Sequence, residues 1–584
     1  MKARQILINF MKNHAISYIA GLLILFGTTF LAMLIPKLLG LITDGLNRKD
    51  TAQSRIIQNV LLMMAIVISV FILKFLWRYF LIGNCRSIEC YLRDHLFKHM
   101  QTLPLSFYSN SRTGDLVAYA INDVQAVRMT FGFGSIQILD GSTLAIVSIL
   151  FMVRTINPVL TVMALAPVPV AVFIMVNVGR LIRGRFRKVQ EAFASISEKV
   201  QENISGIRVI KAFSQEKEEV DNFLKFSQRR VDTQMSLTRI SAMLGPCAQI
   251  CFGLSFLLFI VYGSKLVIEG TITLGDYVAF NTYMLAIMGP VTNISRIIDV
   301  WQRGLASYKR LATIFDSPPA SGLTSEESSV CDIKGRLEIK NLSFAYPGAK
   351  RRALKNINLT LEQGKTLGII GKTGSGKSTM INLLLRLYDI DDGQIFIDGT
   401  DINDIPVDIL RECIGYVPQD NFLFSTTIRQ NIEFFKRIYT EDEVEEAARL
   451  SGVYDNIVSF PEGFDTVIGE RGTTLSGGQK QRISIARAII KNPSILILDD
   501  SLSAVDTKTE EEILGNIKKL LDDRTGIVIS HRISTIMHAD EILFMNGGRI
   551  VERGTHEQLM GLKGLYYELY NAQNAPVSGE VAAV

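Results

Sequence analysis

Hydrophobic residues fill six stretches before about residue 305, each close to the ~20 residues that a helix needs to cross a bilayer. The links after the second and fourth stretches are long, polar, helical in pattern and rich in Lys and Arg, whereas the other links are short. This bias places the long links and both chain ends in the cytoplasm. The pattern predicts a polytopic α-helical membrane domain with six long transmembrane helices. The stretches lie near residues 16–43, 56–83, 133–155, 158–180, 243–268 and 275–305.

The first residues of the chain predict an amphipathic interfacial helix, over 3–14, that leads into the first span. The apolar run after this helix reaches full span length, so it predicts an uncleaved membrane helix and not a signal peptide. Lys74 and Arg78 lie about 27–33 Å along the second span, counted from its outer end. Their side chains are expected to reach the inner interface, and we assign them no function.

The pattern changes after residue 316. Residues 317–335 are rich in Pro, Ser, Gly and acidic residues without apolar periodicity, which predicts a linker between the membrane domain (1–316) and a second domain. Over 336–573, short β-branched runs alternate with helical patterns, as in an α/β domain with a largely parallel sheet. Residues 574–584 predict a disordered tail.

Composition limits the classes of function. The chain has 584 residues, of which 48% are hydrophobic and 20% charged, with a formal net charge of +5. The basic residues cluster beside apolar segments, which fits cytoplasmic loops and predicts no nucleic-acid partner. The six cysteines form no CxxC pair and no metal-binding spacing with the six histidines. We therefore expect free thiols in a reducing compartment.

The segment "GKTGSGKST" (371–379) satisfies the P-loop pattern directly after a predicted strand and before a predicted helix. Gly374 and Gly376 let backbone N–H groups close on phosphate oxygens at a helix N-terminus. Lys377 is expected to meet the β- and γ-phosphates of ATP, and Ser378 to ligate Mg²⁺. The remaining predicted nucleotide contacts of this loop are Gly371, Thr373, Ser375 and Thr379.

Two further residues extend the predicted ATP site. Asp499 ends the apolar strand "SILIL", where a carboxylate that holds Mg²⁺ belongs. Tyr346, which lies ahead of the P-loop in "FAYPG", is a candidate to stack on adenine. A lone tyrosine after a strand is more often a packing residue, and only the other motifs favour stacking.

The segment "LSGGQKQR" (475–482) resembles the signature motif of the ABC transporters and lies just upstream of Asp499, as in that family. Gln419 is similar to the Q-loop glutamine, His531 to the switch histidine, Ser503–Asp506 to the D-loop, and 466–472 to the X-loop of exporters. The six-span part resembles an ABC exporter half-transporter of the type IV fold. The resemblance implies that Gln419 and His531 are catalytic, that Gln419 also ligates Mg²⁺, and that further nucleotide contacts come from Leu475, Ser476, Gly477, Gly478, Gln479 and Asp506.

The resemblance also implies how such a protein works. Two chains pair, and each of two ATP molecules is held between the Walker motifs of one chain and the signature motif of the other. Short coupling helices are expected near Phe107–Asp115 and Ile204–Phe213, the second of which would cross to the partner. ATP-dependent closure would then switch the pore from inward-facing to outward-facing.

Asp500 departs from the family pattern, which normally has a glutamate after the Walker B aspartate to activate water. Its carboxylate reaches roughly 1–1.5 Å less far, and a misplacement of about 1 Å can reduce a rate about 100-fold. The alternative is that the loop shifts and Asp500 still acts as the catalytic base. The residues "LDDSLSAVD" resemble one subunit of bacterial heterodimeric multidrug exporters, which pair a degenerate with a competent ATP site. The presence of His531 leaves weak turnover at this site open.

The prediction is therefore one half of a heterodimeric exporter of hydrophobic or cationic drugs in a bacterial plasma membrane. Its partner is expected to be a homologous half-transporter that carries the catalytic glutamate. Asp140, about 25 Å deep in the third span, is a candidate to bind a cationic drug, although the pattern slightly favours a helix–helix hydrogen bond or exposure at the inner interface. Gln249, Asn281 and Asn293 are weaker candidates for lining a substrate cavity.

Four other functions compete with this one. A homodimeric lipid flippase or peptide exporter keeps the fold and changes the cargo, although no peptidase-like extension precedes the first span. A regulatory protein that merely binds ATP would not need Lys377, Asp499, the signature and His531 together. An import permease is disfavoured by the fused domains and the long cytoplasmic loops. A soluble DNA-repair ATPase would lack the spans.

Overall fold

The computed structural model describes residues 3–47, 53–320, 333–436, 438–469, 472, 475–501, 507–521 and 524–574. The chain divides into two compact units. The first comprises Met1–Gln101 and Thr113–Pro318, and the second comprises Thr102–Arg112 and Pro319–Val584. The domain limits expected from the sequence stay predictions.

Long helices build the first unit, and π-helical segments at Tyr119–Asp123, Met129–Gly134 and Met152–Ile156 lie within the helical stretch Thr113–Ile156, which contains the third predicted span. The predicted interfacial helix forms as α1, and the first span forms as α2 and α3 in succession. The helices before residue 316, of which α5 belongs to the second unit, are α1 (Ala3–Asn13), α2 (Ala15–Ala32), α3 (Leu34–Asn47), α4 (Gln53–Thr102), α5 (Leu105–Ser109), α6 (Thr113–Ala118), α7 (Val124–Arg128), α8 (Ser135–Phe151), α9 (Pro158–Leu165), α10 (Pro167–Ser205), α11 (Ile207–Ala212), α12 (Glu216–Ile268) and α13 (Leu274–Phe315).

Five helical stretches among the described residues are long and apolar enough to cross a membrane, which confirms five of the six predicted spans. The sixth prediction, 275–305, corresponds to the long helix α13. Asn281, Thr282 and Asn293 lower its hydropathy, so its membrane-spanning character is not confirmed. The five stretches are Ala15–Asn47, Gln53–Thr102, Thr113–Ile156, Pro158–Ser205 and Glu216–Ile268.

Helix α13 is fixed at both ends by contacts that its polar and small residues make. Near its start, the Gly275 N–H donates to Asp44 Oδ1 at 2.7 Å. A Cβ at Gly275 would lie 2.1 Å from the Gly40 carbonyl oxygen, so only glycine permits this approach. Near its end, the Arg310 guanidinium donates to both carboxylate oxygens of buried Asp123, at 2.9 and 2.6 Å. These contacts explain why a helix with so many polar residues packs stably in this unit.

The second unit contains two sheets. The six-stranded sheet has the order β10-β9-β3-β8-β7-β6 and is parallel except for β10, which confirms the predicted α/β domain. A separate antiparallel sheet of order β2-β1-β4-β5 was not predicted. The strands are β1 (Leu337–Phe344), β2 (Leu354–Leu361), β3 (Thr366–Gly371), β4 (Ile395–Ile397), β5 (Thr400–Asp401), β6 (Ile414–Val417), β7 (Ile495–Asp499), β8 (Thr525–Ile529), β9 (Glu541–Asn546) and β10 (Arg549–Gly554).

Helices cover the parallel sheet and also form a layer with its own apolar core, which includes Leu423, Ile432 and Ile483. Strands β3, β7 and β8 are almost wholly buried, as expected for a parallel sheet with both faces covered. The helices of this unit after α5 are α14 (Lys377–Leu384), α15 (Val407–Glu412), α16 (Ile428–Glu433), α17 (Glu441–Leu450), α18 (Tyr454–Val458), α19 (Gly477–Ile489), α20 (Thr507–Leu521), α21 (Ile533–Ile536), α22 (His556–Leu562) and α23 (Leu565–Asn574).

Candidate functional site

Four neighbouring parallel strands end at one edge of the six-stranded sheet, and each is followed by a predicted motif. Strand β3 leads into the P-loop, β8 ends two residues before His531, β7 ends at Asp499, and β6 ends two residues before Gln419. The strand register aligns these ends, since Ile529 of β8 pairs with both Ile369 of β3 and Asp499 of β7. Residues far apart in the sequence therefore converge at a single edge, where ligands of open α/β sheets bind.

The P-loop takes the shape that its glycines allow. Gly374 and Gly376 have φ values of 80° and 103°, in the left-handed region that favours glycine. A Cβ at Gly376 would lie 2.7 Å from Leu354 Cδ2 and 2.9 Å from the Ala353 carbonyl oxygen. Helix α14 begins at the next residue, Lys377. The loop thus presents backbone N–H groups and the positive end of a helix at the sheet edge.

Lys377 and Ser375 are both buried at the base of this loop. The Lys377 ammonium donates to the carbonyl oxygens of Gly371 and Lys372, at 2.8 and 3.3 Å. Burial lowers its pKa below the usual range, against the opposing effect of the Asp499 and Asp500 charges. Ser375 Oγ is buried without a hydrogen-bond partner within the described part of the chain. A buried cation and an unsatisfied hydroxyl beside exposed backbone donors fit a polyphosphate ligand.

The Ser378 hydroxyl lies close to the Asp499 carboxylate. Asp499 is buried, and this burial raises its pKa, with Asp500 adding to the shift and the Ser378, Lys377 and His531 side chains opposing it. A hydroxyl and one carboxylate suit Mg²⁺, which takes most of its other ligands from phosphates and water. Over the described residues there is no cluster of three or more His, Cys, Asp or Glu side chains that would hold a metal alone. The residues therefore fit Mg²⁺ only together with a phosphate ligand.

Tyr346 lies beside the P-loop, as the adenine-stacking prediction requires. Its hydroxyl lies 2.9 Å from Thr379 Oγ1, and its ring contacts those of Phe344 and Tyr388 edge-on, at 5.2 and 5.1 Å between centroids. Sequence reasoning missed Tyr388, because nothing local links it to a tyrosine 42 positions earlier. The hydroxyl of Tyr388 also lies 3.5 Å from Ser109 Oγ, within the segment Thr102–Arg112 that groups with this unit.

The three predicted catalytic residues occupy loops at the sheet edge. Asp500 follows β7 in the left-handed region, with φ 47°, and its N–H donates to the Ile529 carbonyl at 2.9 Å. Aspartate adopts this conformation more readily than most residues. His531 is exposed, and its carbonyl accepts from Gln573 Nε2 at 2.6 Å. Gln419 is also exposed. All three thus lie on loops that leave the same sheet edge as Asp499, while their roles stay predictions.

The signature motif lies in the helical layer at the start of α19. Ser476 is the N-cap of this helix, and it forms a capping box with Gln479, whose N–H donates to Ser476 Oγ at 3.3 Å. Leu475 is buried in the core of the helical layer, whereas Ser476 and Gly477 are exposed. The D-loop prediction, Ser503–Asp506, lies outside the described residues, as do positions 470 and 471 of the X-loop.

The candidate cavity residues of the membrane unit do not converge on one site. Asp140 of α8 lies close to Thr29 of α2 and within electrostatic reach of Lys74 and Arg78. This arrangement favours a helix–helix contact over a drug counter-ion. Asn293 donates to the Gly289 carbonyl of its own helix at 3.1 Å, and Gln249 is exposed. Asn281 alone keeps a buried oxygen, Oδ1, without a partner among the described residues.

Comparison with known proteins agrees with this geometry. Residues 18–291 match the ABC transporter transmembrane region, and residues 354–503 match the ABC transporter family. Over 572 residues, the chain is 38% identical to the probable multidrug resistance ABC transporter ATP-binding/permease protein YheI of Bacillus subtilis (strain 168), covering 97% of this chain and 96% of the relative. The chain belongs to the ABC transporter family. This ABC transporter is a multi-pass membrane protein that binds ATP and couples its hydrolysis to transport.

Other similar proteins include a multidrug resistance-like protein, a lipid flippase and an exporter of known structure. The multidrug resistance-like ATP-binding protein MdlA of Escherichia coli (strain K12) is 35% identical over 556 residues, covering 95% of this chain and 94% of the relative. An ATP-dependent lipid A-core flippase of Syntrophus aciditrophicus (strain SB) is 36% identical over 482 residues, covering 82% and 80%. The solved structure of a bacterial Atm1-family ABC exporter with ATP bound is similar at a TM-score of 0.79 and 26% identity, covering 97% of this chain and 99% of that one. The transporter therefore has the ABC exporter fold.

Proposed function

We propose that this ABC exporter is one half of a heterodimeric multidrug efflux pump, and that its own Walker motifs form the slower of two ATP sites. The proposal rests on the presence of aspartate at position 500, directly after Asp499. Its position after β7 is the one from which a base reaches the attacking water, and its side chain is one methylene shorter than the glutamate normal in the family. A carboxylate displaced by about 1 Å predicts roughly 100-fold slower hydrolysis.

The other residues at the sheet edge support nucleotide binding at this slower site. We propose that Lys377 holds the phosphates, that Ser378 and Asp499 hold Mg²⁺, and that Tyr346 covers the adenine. Gln419 would add a Mg²⁺ ligand, and His531 would stabilise the γ-phosphate. A site that binds ATP well and hydrolyses it slowly would hold the nucleotide domains together while the second site completes its cycle.

The signature motif supports pairing with a second chain. Ser476 and Gly477 are exposed at the start of α19, with the helix N-terminus directed to solvent and its first donors only partly capped. A phosphate presented by the partner's Walker motifs would be favoured there. The intact sequence "LSGGQ" would thus complete the competent site, whose glutamate lies on the partner.

Two exposed apolar surfaces also favour a partner chain. Around α11, Ile207, Val209 and Phe213 are 47%, 60% and 72% exposed, and they form part of the coupling segment that is expected to cross to the partner. In the helical layer, Phe422, Phe424, Phe434 and Phe435 form a cluster with ring centroids 5.1–6.0 Å apart, each 38–51% exposed. Exposed aromatic patches of this kind mark interaction sites. We propose that both surfaces contact the partner chain.

The cargo is proposed to be a hydrophobic or cationic compound, exported across the plasma membrane of a bacterium with the nucleotide-binding domain in the cytoplasm. Support comes from the names of two relatives, YheI and MdlA, which refer to multidrug resistance. The lysine- and arginine-rich links between the second and third and between the fourth and fifth spans support the orientation.

The experiment compares turnover in the purified complex after Asp500→Ala with turnover after removal of the partner's catalytic glutamate. We expect Asp500→Ala to change ATP hydrolysis by less than about twofold and the partner variant to reduce it about 100-fold or more. Asp500→Asn serves as the matched control, because it keeps the shape of the side chain and removes its charge. Equal losses from the two sites, or purification of an active complex of this chain alone, would refute the proposal.

A homodimeric lipid flippase is the second candidate, favoured by the relatives that are named lipid A-core flippases. A peptide exporter is a further alternative within the same fold. Proteoliposomes separate these functions, because a flippase moves fluorescent lipid between leaflets whereas a multidrug exporter accumulates a cationic dye. Lipid movement without dye transport would favour the flippase.

A further inference from the structure

A groove of about 700 Å³ opens on the surface of the membrane unit between α2 and α4. Ser17 of α2 forms one side, and the α4 residues from Phe75 to Ser87 form the rest. At its base, Ser17 Oγ and the side-chain amide of buried Asn84 are hydrogen-bonded, at 3.0 Å from Nδ2 to Oγ. This contact fixes the two helices next to each other and gives the groove a polar floor.

The groove lies at the depth of the inner membrane interface. Counting about 1.5 Å per residue from residue 56, where the second apolar stretch begins, Arg78 lies about 33 Å and Arg86 about 45 Å along α4. The hydrocarbon core is about 30 Å thick. The groove therefore extends from the inner edge of the hydrocarbon into the headgroup layer. Phe75 and Tyr79, 66% and 69% exposed, are aromatic residues of the kind that populate this interface.

The charge around the groove is positive and incompletely balanced. Arg86 forms an ion pair with Glu89 at 3.4 Å, but Arg93 and Arg128 contact the same carboxylate at 2.9 and 3.1 Å. Three guanidinium groups thus share one negative charge. Arg86 keeps 71% of its side chain exposed, so this ion pair leaves it open to a further anion.

Farther into the membrane the imbalance continues. Lys74 and Arg78 share the single carboxylate of Asp140 within electrostatic reach. Arg78 also lies over the Trp77 ring, 5.6 Å from its centroid. Among the described residues that line the groove, Arg78 and Arg86 are cations and none is a carboxylate. Together with their charged neighbours they make five cations that share two carboxylates. A basic pocket between helices on the cytoplasmic side of a membrane suits an anionic lipid headgroup.

The shape of the groove fits the rest of such a lipid. Gly83 leaves a gap in the α4 surface, where an added Cβ would meet no atom within 4 Å. Exposed Phe75 and Ile82 provide apolar surface beside this gap. We propose that the groove binds an anionic glycerophospholipid of the inner leaflet, with its phosphate between Arg78 and Arg86 and its acyl chains along Phe75. The lipid is a bound partner on the exposed face of α4. This proposal does not depend on which cargo the exporter carries.

The test measures lipid retention by native mass spectrometry after mixing the purified complex with micelles of phosphatidylglycerol or phosphatidylcholine. We expect preferential retention of phosphatidylglycerol, and a loss of about tenfold or more in the double variant Arg78→Gln, Arg86→Gln. Arg180→Gln is the matched control, because Arg180 is exposed on α10 at the same depth, about 33 Å from residue 158. An equal loss in that control would show unspecific attraction and overturn the proposal.

A second pair of variants tests shape at constant charge. Gly83→Phe should fill the groove and reduce retention about as strongly as removing the arginines, whereas Gly83→Ala should not. Retention in Gly83→Phe equal to that of the parent protein would overturn the proposal. Glycerol 1-phosphate in millimolar excess should not displace the lipid, and displacement would reduce the site to a phosphate site. ATP binding by each variant shows whether it is folded, since the nucleotide site does not contain these residues.

Discussion

The edge of the six-stranded sheet that carries the P-loop and Asp499, called the Walker edge below, and the signature motif are built in opposite ways. At the Walker edge, Lys377 and Asp499 are buried charges and Ser375 Oγ is a buried hydroxyl without a partner among the described residues. The signature motif is exposed, and its capping box between Ser476 and Gln479 satisfies part of the N-terminus of α19. The first region keeps a buried hydroxyl for a ligand to satisfy, whereas the second region caps part of its own helix N-terminus. This difference suggests that nucleotide binds first to the Walker edge and meets a signature motif only when two chains close.

Removal of the Lys377 ammonium should have the largest effect on this comparison. Lys377→Ala leaves the phosphates without their cation and the Asp499 carboxylate without its nearest opposing charge. We expect ATP affinity at this site to fall about 100-fold, in the range measured for buried charge pairs. Equilibrium binding of a fluorescent ATP analogue to the purified complex measures the loss. Gln479→Ala, in the signature, is the control and should leave this binding within about twofold; an equal loss there would contradict the contrast.

Ser476→Ala should destabilise the signature region without weakening nucleotide binding. The substitution removes an N-cap, which is worth about 1 kcal/mol of unfolding free energy. Thermal unfolding of the complex in detergent measures the change. We expect ATP hydrolysis to decrease while ATP affinity in the open state is retained. If affinity fell as much as in Lys377→Ala, the signature would belong to the initial binding site.

Ser375→Ala should increase the unfolding free energy of the free protein, whereas Ser476→Ala should decrease it. It replaces a buried hydroxyl that has no partner among the described residues with a methyl group, and leaving such a group unsatisfied costs about 1 kcal/mol or more. The free protein is therefore expected to become more stable by up to about 1 kcal/mol, while ATP affinity falls severalfold. The two serine variants, measured side by side by thermal unfolding with and without ATP, form a matched pair. A loss of stability in Ser375→Ala without ligand would show that its hydroxyl is satisfied in the free protein.

The positions of most residues at the Walker edge could be predicted from the sequence, because these residues belong to short motifs with fixed spacing. The spacing of Gly374, Gly376 and Lys377 defines the loop, and the parallel register then brings Asp499 and Gln419 to the same edge. The contact of Tyr346 with Tyr388 and the unsatisfied oxygen of Ser375 could not be predicted, since both depend on packing between distant segments. The antiparallel sheet was missed because β4 and β5 are only three and two residues long.

The membrane unit was predicted less completely, for a physical reason. Apolar periodicity reports that a segment is long enough to cross a bilayer, but it does not report which neighbour satisfies a polar residue. Asp140 therefore was a drug-binding candidate by depth alone, whereas the structure places it beside Thr29 of α2 and near Lys74 and Arg78. The sixth span carries polar residues because α13 uses some of them, such as Asp276 at its N-terminal capping box, to hold the helix in place.

The smallest expected effect is a pH dependence of Mg²⁺ binding at the Walker edge. Burial raises the pKa of Asp499 above its ordinary value of about 3.9. Mg²⁺ requires the ionised carboxylate. In the presence of ATP, the affinity for Mg²⁺ should therefore be highest above the raised pKa of Asp499 and should fall as the pH decreases through that pKa. One competing proton reduces the affinity by at most about tenfold per pH unit. Without Mg²⁺ the sign reverses: the protonated form is the one stabilised by folding, so this contribution to the unfolding free energy is present below the ordinary pKa and is lost as pH rises through the raised value. Titration of Mg²⁺ at several pH values measures the first effect, and thermal unfolding without Mg²⁺ at the same pH values measures the second, with Asp499→Asn as the control in each. If Asp499→Asn kept the same pH dependence, another group would be responsible, and the buried carboxylate would not be what distinguishes the Walker edge from the signature motif.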